Sequence, residues 1–565
     1  MPRKKPNKDD LRTRLAGLSG WQTATRDDAL VAHELYETRS LDRLHSLNEA
    51  AFFDEFFHYL QEIEVWPLLE GLDPQDREGP LYSFIKFVLV TIMRCVGGVQ
   101  SMLATHDLLL TDQAIMDVIG FNAAQVEQGS CDRGLKHRKK PRKIRGALSY
   151  ETIADNITKI GPDKLAQMFN GVIRCLAKRG VFSKKIDVVI DATDDEATAN
   201  YKTDSGDEVP HVTREKRPDV RANGHAQKIK ATVYGWKIWL AFDPESEIPV
   251  AMKIDGINVA DNTHAYEVLD QACKNLEGYS TIHSVAFDRG FLDGKLLWKA
   301  DNKAKVIVYI PAKSNMEITE EARKMARNAE ALALKGKTLD GAIYKERIEE
   351  IRHGSGQSAW IEKRKTIVVR IRDLSCDWWT PIGSTSAANS KKFVSRLVNA
   401  TVVLRWDGAP KDAEKEVVII DTDPSKNPFA GFDAYDERSK IENIVNREAK
   451  ESWFLEHHPK RSEAGMRVHA YFVFMCMALI TAFRRYLKEA EDAESRDEET
   501  GITRYRRKLA SINHGKLVVF CGNHFGIFKN NDVMLLAGLT VRESALRGET
   551  VEDVLARYKA PTNTS

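Results

Sequence analysis

Paired cysteines are missing from this chain. Seven Cys are scattered through 565 residues, none in a Cys-x2-Cys pair and none grouped with His at zinc-ligand spacing. That excludes a disulfide-stapled scaffold and a zinc finger, and reads as reduced intracellular thiols. A membrane-length apolar run is missing as well. The longest, about residues 468–483, begins beside Arg467 and His469 and is expected to be a buried core helix, with no membrane as partner. The first residues, MPRKKPNKDD, hold no apolar segment, so no secretory leader is expected. The net charge, only +2 from 84 Lys and Arg against 82 Asp and Glu, names no partner either. No internal repeat is visible.

What is present is enough apolar residue for several cores. Hydrophobic residues make up 42% of the chain, too many for disorder. At roughly 100–200 residues per domain, the length allows about three to four units. Residues 1–180 read as a helical region. Phe52, Phe53, Phe56, Phe57, Leu60 and Ile63 recur at steps of three and four, which gives one apolar helical stripe. Within it, residues 133–145 (RGLKHRKKPRKIR) carry Lys136, Arg138, Lys139, Lys140, Arg142 and Lys143 among other bases and no acid. Gly134 and Pro141 oppose a helix there, so a basic loop that contacts phosphates is expected.

At Lys185 the period changes to that of strands. Ile186–Asp191 reads as a buried strand, 201–224 as a loop, and 228–241 and 248–255 as two further strands joined by a turn at Asp243-Pro244-Glu245-Ser246. A helix at 261–276, a strand ending at Asp288, a helix at 291–302 and a strand at 305–310 follow. This order predicts an α/β unit with a mixed sheet flanked by helices over 181–342. Residues 343–425 alternate like strands and read as a β-rich insertion. A helix begins near Tyr435 in a second stretch of the α/β unit, 426–495. The remainder, 496–565, holds one strand-like run at Leu517–Cys521 and a final helix.

Three acids stand out by position. Asp191 and Asp288 each end an apolar strand, and Glu442 sits inside a helix far downstream. Carboxylates at the ends of neighbouring strands converge at one sheet edge, where open α/β sheets place their sites. Asp187, Asp194 and Asp195 compete for the first position, and Asp187 shares a strand face with Asp191. The helix is more specific. Tyr435, Arg438 and Glu442 fall within about 60° of arc at 100° per residue, and Asn446 extends the stripe. Three carboxylates suit the cleavage of phosphodiesters. Two magnesium ions, about 3.5–4 Å apart, can stabilise the attacking and leaving oxygens, and magnesium asks for hard oxygen ligands.

The pieces VVIDAT around Asp191, VYGWKIWLAFDPESEIPVAMKI at 233–254, DNTHAYEVL at 261–269, AFDRGF around Asp288 and YDERSKIEN around Glu442 then add up. In order and spacing the chain resembles bacterial insertion-sequence DDE transposases with a Tyr-x2-Arg-x3-Glu-x6-Lys signature. The resemblance covers about 185–485 and implies an RNase H-like catalytic core. It implies an enzyme that cleaves element ends and transfers strands, a DNA endonuclease and recombinase. Asp191, Asp288 and Glu442 would hold two magnesium ions per site, which manganese can replace. Tyr435 and Arg438 would contact the phosphate backbone, with Asn446 or Lys450 assisting. The last signature position departs from the pattern: Ala449 stands there, and Lys450 lies about 80° round a regular helix from Glu442. Trp378, Trp379 and Trp406 of the insertion include a candidate for stacking on a flipped base, though sheet packing is the plainer role for each. His264 reads as a helix-capping or core residue.

The expected partners are double-stranded DNA, both terminal inverted repeats and target, and a second copy of the chain in a homodimer on that DNA. The expected compartment is the cytoplasm, at the nucleoid. Two other readings share these residues: an RNase H-like nuclease that cuts without joining, and a non-catalytic DNA-binding derivative. The second predicts loss of a carboxylate, and all three are present.

Overall fold

The computed structural model describes residues 25–46, 50–74, 82–110, 113–121, 148–216, 229–353, 360–379, 394–406, 417–490, 516–539 and 550–558. The basic run at 133–145 lies outside them. The chain divides into two compact units, Phe169–Lys450 and a second built from both chain ends, Met1–Met168 with Glu451–Ser565.

The Phe169–Lys450 unit is organised by one ten-stranded mixed sheet. Its strands are β1 (Lys185–Ala197), β2 (His211–Lys216), β3 (Ile229–Asp243), β4 (Ile248–Gly256), β5 (Thr281–Phe287), β6 (Ile307–Pro311), β7 (Ala342–His353), β8 (Trp360–Trp379), β9 (Val394–Trp406) and β10 (Val417–Asp421). The spatial order is β2-β3-β1-β5-β6-β10-β9-β8-β7, with β4 paired to β3. β1 runs antiparallel to β3 and parallel to β5, and β5 runs parallel to β6. Crossover helices make the parallel pairs possible: α1 (Ala265–Leu276) packs on β3 and β4, and α2 (Gly294–Asn302) joins β5 to β6. Val188, Val189 and Ile190 of β1, Trp239, Leu240 and Phe242 of β3, and Val285 and Phe287 of β5 are buried at the centre. The order β4-β3-β1-β5-β6 is that of a mixed sheet flanked by helices, consistent with an RNase H-like core.

The strands expected over 343–425 continue the core sheet. β10 pairs antiparallel with β6, Ile420 opposite Ile310, so that β10, β9, β8 and β7 extend the core sheet as an antiparallel meander. Helix α3 (Glu317–Ala333) covers β7–β9. The strand His211–Lys216 falls where a loop was expected. Its sequence HVTREK has no apolar alternation, because it pairs only with the first half of β3.

The second unit is mainly helical. The phenylalanine stripe lies on helix Ala50–Glu62, where Phe52 and Phe56 stack at a 6.0 Å centroid distance. Phe483, from helix Glu463–Ala490, packs 5.3 Å from Phe56. Residues Glu463–Tyr486 are, by length and composition, long and apolar enough to cross a membrane, longer than the sequence run suggested; 89% of the 18-residue apolar window within them is buried inside the protein. A small sheet joins Thr25–Arg26 and Arg43–Ser46 to the hairpin Lys516–Cys521 and His524–Lys529.

Candidate active site

The centre strand sets the first carboxylate. Asp191 does not end β1, as the apolar run suggested. β1 continues to Ala197, but beyond Ile190 it pairs only with β3. Its parallel partner β5 stops at Phe287, opposite Ile190, and Asp288 follows immediately. Asp191 and Asp288 therefore sit one register step past the last parallel pair, on neighbouring strands about 4.8 Å apart. The step leaves a notch in the sheet edge with one carboxylate on each side.

The third carboxylate comes from a helix laid across β5, β6, β9 and β10: α4 (Ala430–Lys440), a wider π-helical turn at Ile441–Asn446, and α5 (Arg447–Glu451). Arg447 N–H bonds to Glu442 O, five residues back, which marks the wide turn; such turns recur at functional sites. Arg438 stands among the acids. Its Nη1 donates to Glu442 Oε1 at 2.7 Å and lies 3.7 Å from Asp288 Oδ1. The guanidinium is only 14% exposed, against 53% for Glu442 and 40% for Asp288. Tyr435 lies beneath it, 5.5 Å from guanidinium carbon to ring centroid.

The electrostatics follow from this crowding. Burial pushes the Asp191 carboxyl up to about 6; Glu442 and Asp288 add to the rise, while the Ala192 backbone N–H and Arg438 oppose it. Burial works against the Arg438 charge, but Asp288 and Glu442 outweigh it and hold its pKa above the ordinary value. The site gathers negative charge and keeps one internal cation to balance part of it.

The competing acids are occupied elsewhere. Asp187 accepts from Ser284 Oγ at 2.6 Å and lines a separate cavity of 330 Å³ between α4 and the sheet, with Tyr309, Asp423 and Glu437. Asp194 pairs with Arg214 at 2.6 Å, and Asp195 is fully buried. Asn446 turns its Nδ2 toward Asp191 Oδ2 at 3.4 Å rather than toward solvent. His264 precedes α1 without capping it through its side chain; it bridges Asp255 and Glu267 and meets the Trp239 ring edge-on. Trp378 and Trp379 lie on β8 and Trp406 on β9.

The wide turn also changes the reading of the last signature position. It absorbs one residue of helical phase, so the eighth residue past Glu442 falls where the seventh would fall in a regular helix. Lys450 thus takes the angular place that a straight helix gives to 449. Ala449 faces inward and is fully buried.

Sequence reasoning passed over a fourth acid. Asp261 Oδ1 accepts from Lys237 Nζ at 2.6 Å. Its other oxygen would lie 3.5 Å from a Cβ built on Gly290, a point 3.9 Å from Asp288 Oδ2. Lys237 also donates to Val259 O at 2.7 Å. The segment DNTHAYEVL carried the signal, but nothing in the local pattern separated its Asp from a helix cap.

The notch at the sheet edge thus places three carboxylates and a guanidinium near one another on an α/β core. The family model described as a transposase DDE domain matches residues 183–479, more than half of the chain. The chain belongs to that transposase family. Among solved structures, it is similar to a piggyBac transposase synaptic complex with hairpin DNA, determined by cryo-EM. The two share 10% identity over 84% of this chain and 83% of that one, with a TM-score of 0.34. No curated protein matches the chain.

Transposase DDE domains use divalent metal ions. Among the described residues, no three His, Cys, Asp or Glu side chains are already drawn together as ligands of one ion. The donor set nevertheless fits a hard divalent cation. Three carboxylates line one notch, and Asn446, whose Nδ2 faces Asp191, keeps an Oδ1 that is buried without a hydrogen-bond partner.

Proposed function

We propose that this transposase cleaves DNA at the ends of its element and joins those ends to target DNA, with Asp191, Asp288 and Glu442 holding divalent metal, magnesium in the cell. The observation that carries the reading is the meeting of Asp191, Asp288, Arg438 and Glu442 at the notch beside β5. Bound there, the metal would activate the attacking oxygen and stabilise the leaving one. The chain's own residues do the rest. The central strands fix Asp191 and Asp288 on rigid backbone. Arg438 offers a planar, fixed fork for a phosphate oxygen at the cut. Tyr435 supports that fork from below. Lys450, on the Glu442 side of the helix, supplies a further point charge for the strand. Residues 133–145 supply sequence-independent phosphate contacts, and two copies act together on paired ends.

The test is incubation of the purified full chain with DNA bearing the element's ends, with and without magnesium, beside Asp288→Ala. Magnesium-dependent cleavage and joining that disappear in the variant are expected. Cleavage without joining would leave a nuclease. End binding with no cleavage in magnesium or manganese would leave a non-catalytic DNA-binding protein.

A further inference from the structure

Asn446 holds an unsettled position in this site. Its Oδ1 is buried and without a hydrogen-bond partner, although each buried polar atom left in that state costs about 1–3 kcal/mol. Its Nδ2 makes one long contact, 3.4 Å, to Asp191 Oδ2. Turning the amide over does not remove the difficulty. Oδ1 would then face the Asp191 carboxylate, and two oxygens with no proton between them repel. Either orientation leaves one oxygen in want of a positive partner.

A cation shared with Asp191 resolves both orientations. Neighbouring ligands of an octahedral ion with bonds of about 2.0–2.1 Å stand about 3 Å apart. The Asn446 amide and the Asp191 carboxylate already approach to 3.4 Å. The wide turn Ile441–Asn446 carries Glu442 and Asn446 on one helical segment, so the two donors are fixed relative to each other. A phosphate-contacting role suits Asn446 less well, because its amide N–H points at a carboxylate and its oxygen can only accept.

We propose that Asn446 is a fourth protein oxygen donor to the divalent metal at Asp191, its amide turning over so that Oδ1 faces the ion. This rests on the reading of Asp191, Asp288 and Glu442 as a metal site and adds a ligand to it. An amide oxygen brings a donor without adding negative charge to a notch that already gathers three carboxylates.

The probe is Mn²⁺ alone, titrated into the DNA-free full chain and followed by the electron paramagnetic resonance of the free ion. Wild type, Asn446→Ala, Asn446→Asp and Asp191→Ala are compared, with circular dichroism confirming that each is folded. Asn446→Ala is expected to weaken Mn²⁺ binding about tenfold or more, within the range seen when a metal site loses a supporting group. Asn446→Asp, which keeps an oxygen at the same reach, is expected to retain or tighten it. Wild-type affinity in Asn446→Ala overturns the proposal. Equal weakening in Asn446→Ala and Asn446→Asp also overturns it, because it makes the N–H contact to Asp191 the function of the residue. If Asp191→Ala binds Mn²⁺ as wild type does, the metal-site reading itself has failed, and the proposal falls with it.

Discussion

Asp191 is expected to be a source of instability in the metal-free protein, and removing its charge should strengthen the fold. The carboxyl ordinarily titrates near 3.8 and is pushed up to about 6 here, first by burial and then by Glu442 and Asp288. A folded-state pKa above the unfolded one means that the folded chain binds the proton more tightly. Stability is therefore highest below about pH 4 as far as this group is concerned, and is lost as pH rises from about 4 to about 6. Two units at 1.36 kcal/mol each set the loss above pH 6 on the order of 2–3 kcal/mol. Asp191→Asn keeps the shape and discards the charge, so in chelator at pH 8 it should be more stable by up to that amount. Amide hydrogen exchange along β1 and β3 reads it locally, without requiring the two units to unfold together. The gain should shrink through pH 5 and vanish below pH 4. A variant as stable as wild type at pH 8, or less stable, would show that the Asp191 carboxylate is well solvated and would refute the account of its pKa.

Other perturbations test other parts of the structure. Arg370 and Asp421 are fully buried and paired through two bonds of 3.0 Å, so Arg370→Met should cost about 3–5 kcal/mol in denaturant unfolding by stranding a buried carboxylate. Changing Asp421→Leu as well should restore part of that. Gly235 has φ of +141°, and a Cβ there would fall 2.2 Å from Asp195 O; Gly235→Ala should lower stability by roughly 1–3 kcal/mol in thermal unfolding. Deleting residues 1–150 is a poor test of DNA binding, because Met1–Met168 forms one unit with Glu451–Ser565. Replacing Lys136, Arg138, Lys139 and Lys140 by Gln should instead flatten the slope of log affinity against log salt by up to about 3–4, at about 0.9 per phosphate contact; an unchanged slope would remove the basic run from the DNA interface.

The candidate site was legible wherever chemistry coincided with a local pattern. Asp191 and Asp288 each follow an apolar run, and the helix stripe of Tyr435, Arg438 and Glu442 could be counted from the sequence. Features that depend on distant pairing were not. Residues 192–197, ATDDEA, lie outside the strand that the sequence predicts at Ile186–Asp191, yet they continue β1 because β3 pairs with them through Ala197. The pairing of the strands after 342 could not be read, since nothing local announces that Ile419–Asp421 will pair with Tyr309–Pro311. The helix carrying Glu442 starts at Ala430 rather than near Tyr435. Gly431 there lies against the side chain of Thr401, where a Cβ would come within 2.5 Å of Oγ1. The wide turn at Ile441–Asn446 has no sequence mark at all, and it decides whether 449 or 450 shares the Glu442 face.

Arg438 couples the charge balance of the notch to what the notch can bind. Three carboxylates around one notch repel one another, and in this structure the guanidinium offsets part of that repulsion by bonding Glu442 and approaching Asp288. The same guanidinium therefore competes with any other cation for those two acids. Arg438→Gln keeps a hydrogen-bonding side chain and removes the competitor. Glu442 is half exposed, so its bond to Arg438 contributes about 1 kcal/mol at most, and the variant should bind Mn²⁺ more tightly by up to about fivefold without DNA. Cleavage of element ends should fall in the same variant, because the fork that would hold a phosphate oxygen is gone. A residue that merely props up the fold would move both quantities down together. Tighter ion binding with weaker cleavage is thus the signature of Arg438 as a resting counter-charge to the acids, and weaker ion binding in Arg438→Gln would refute it.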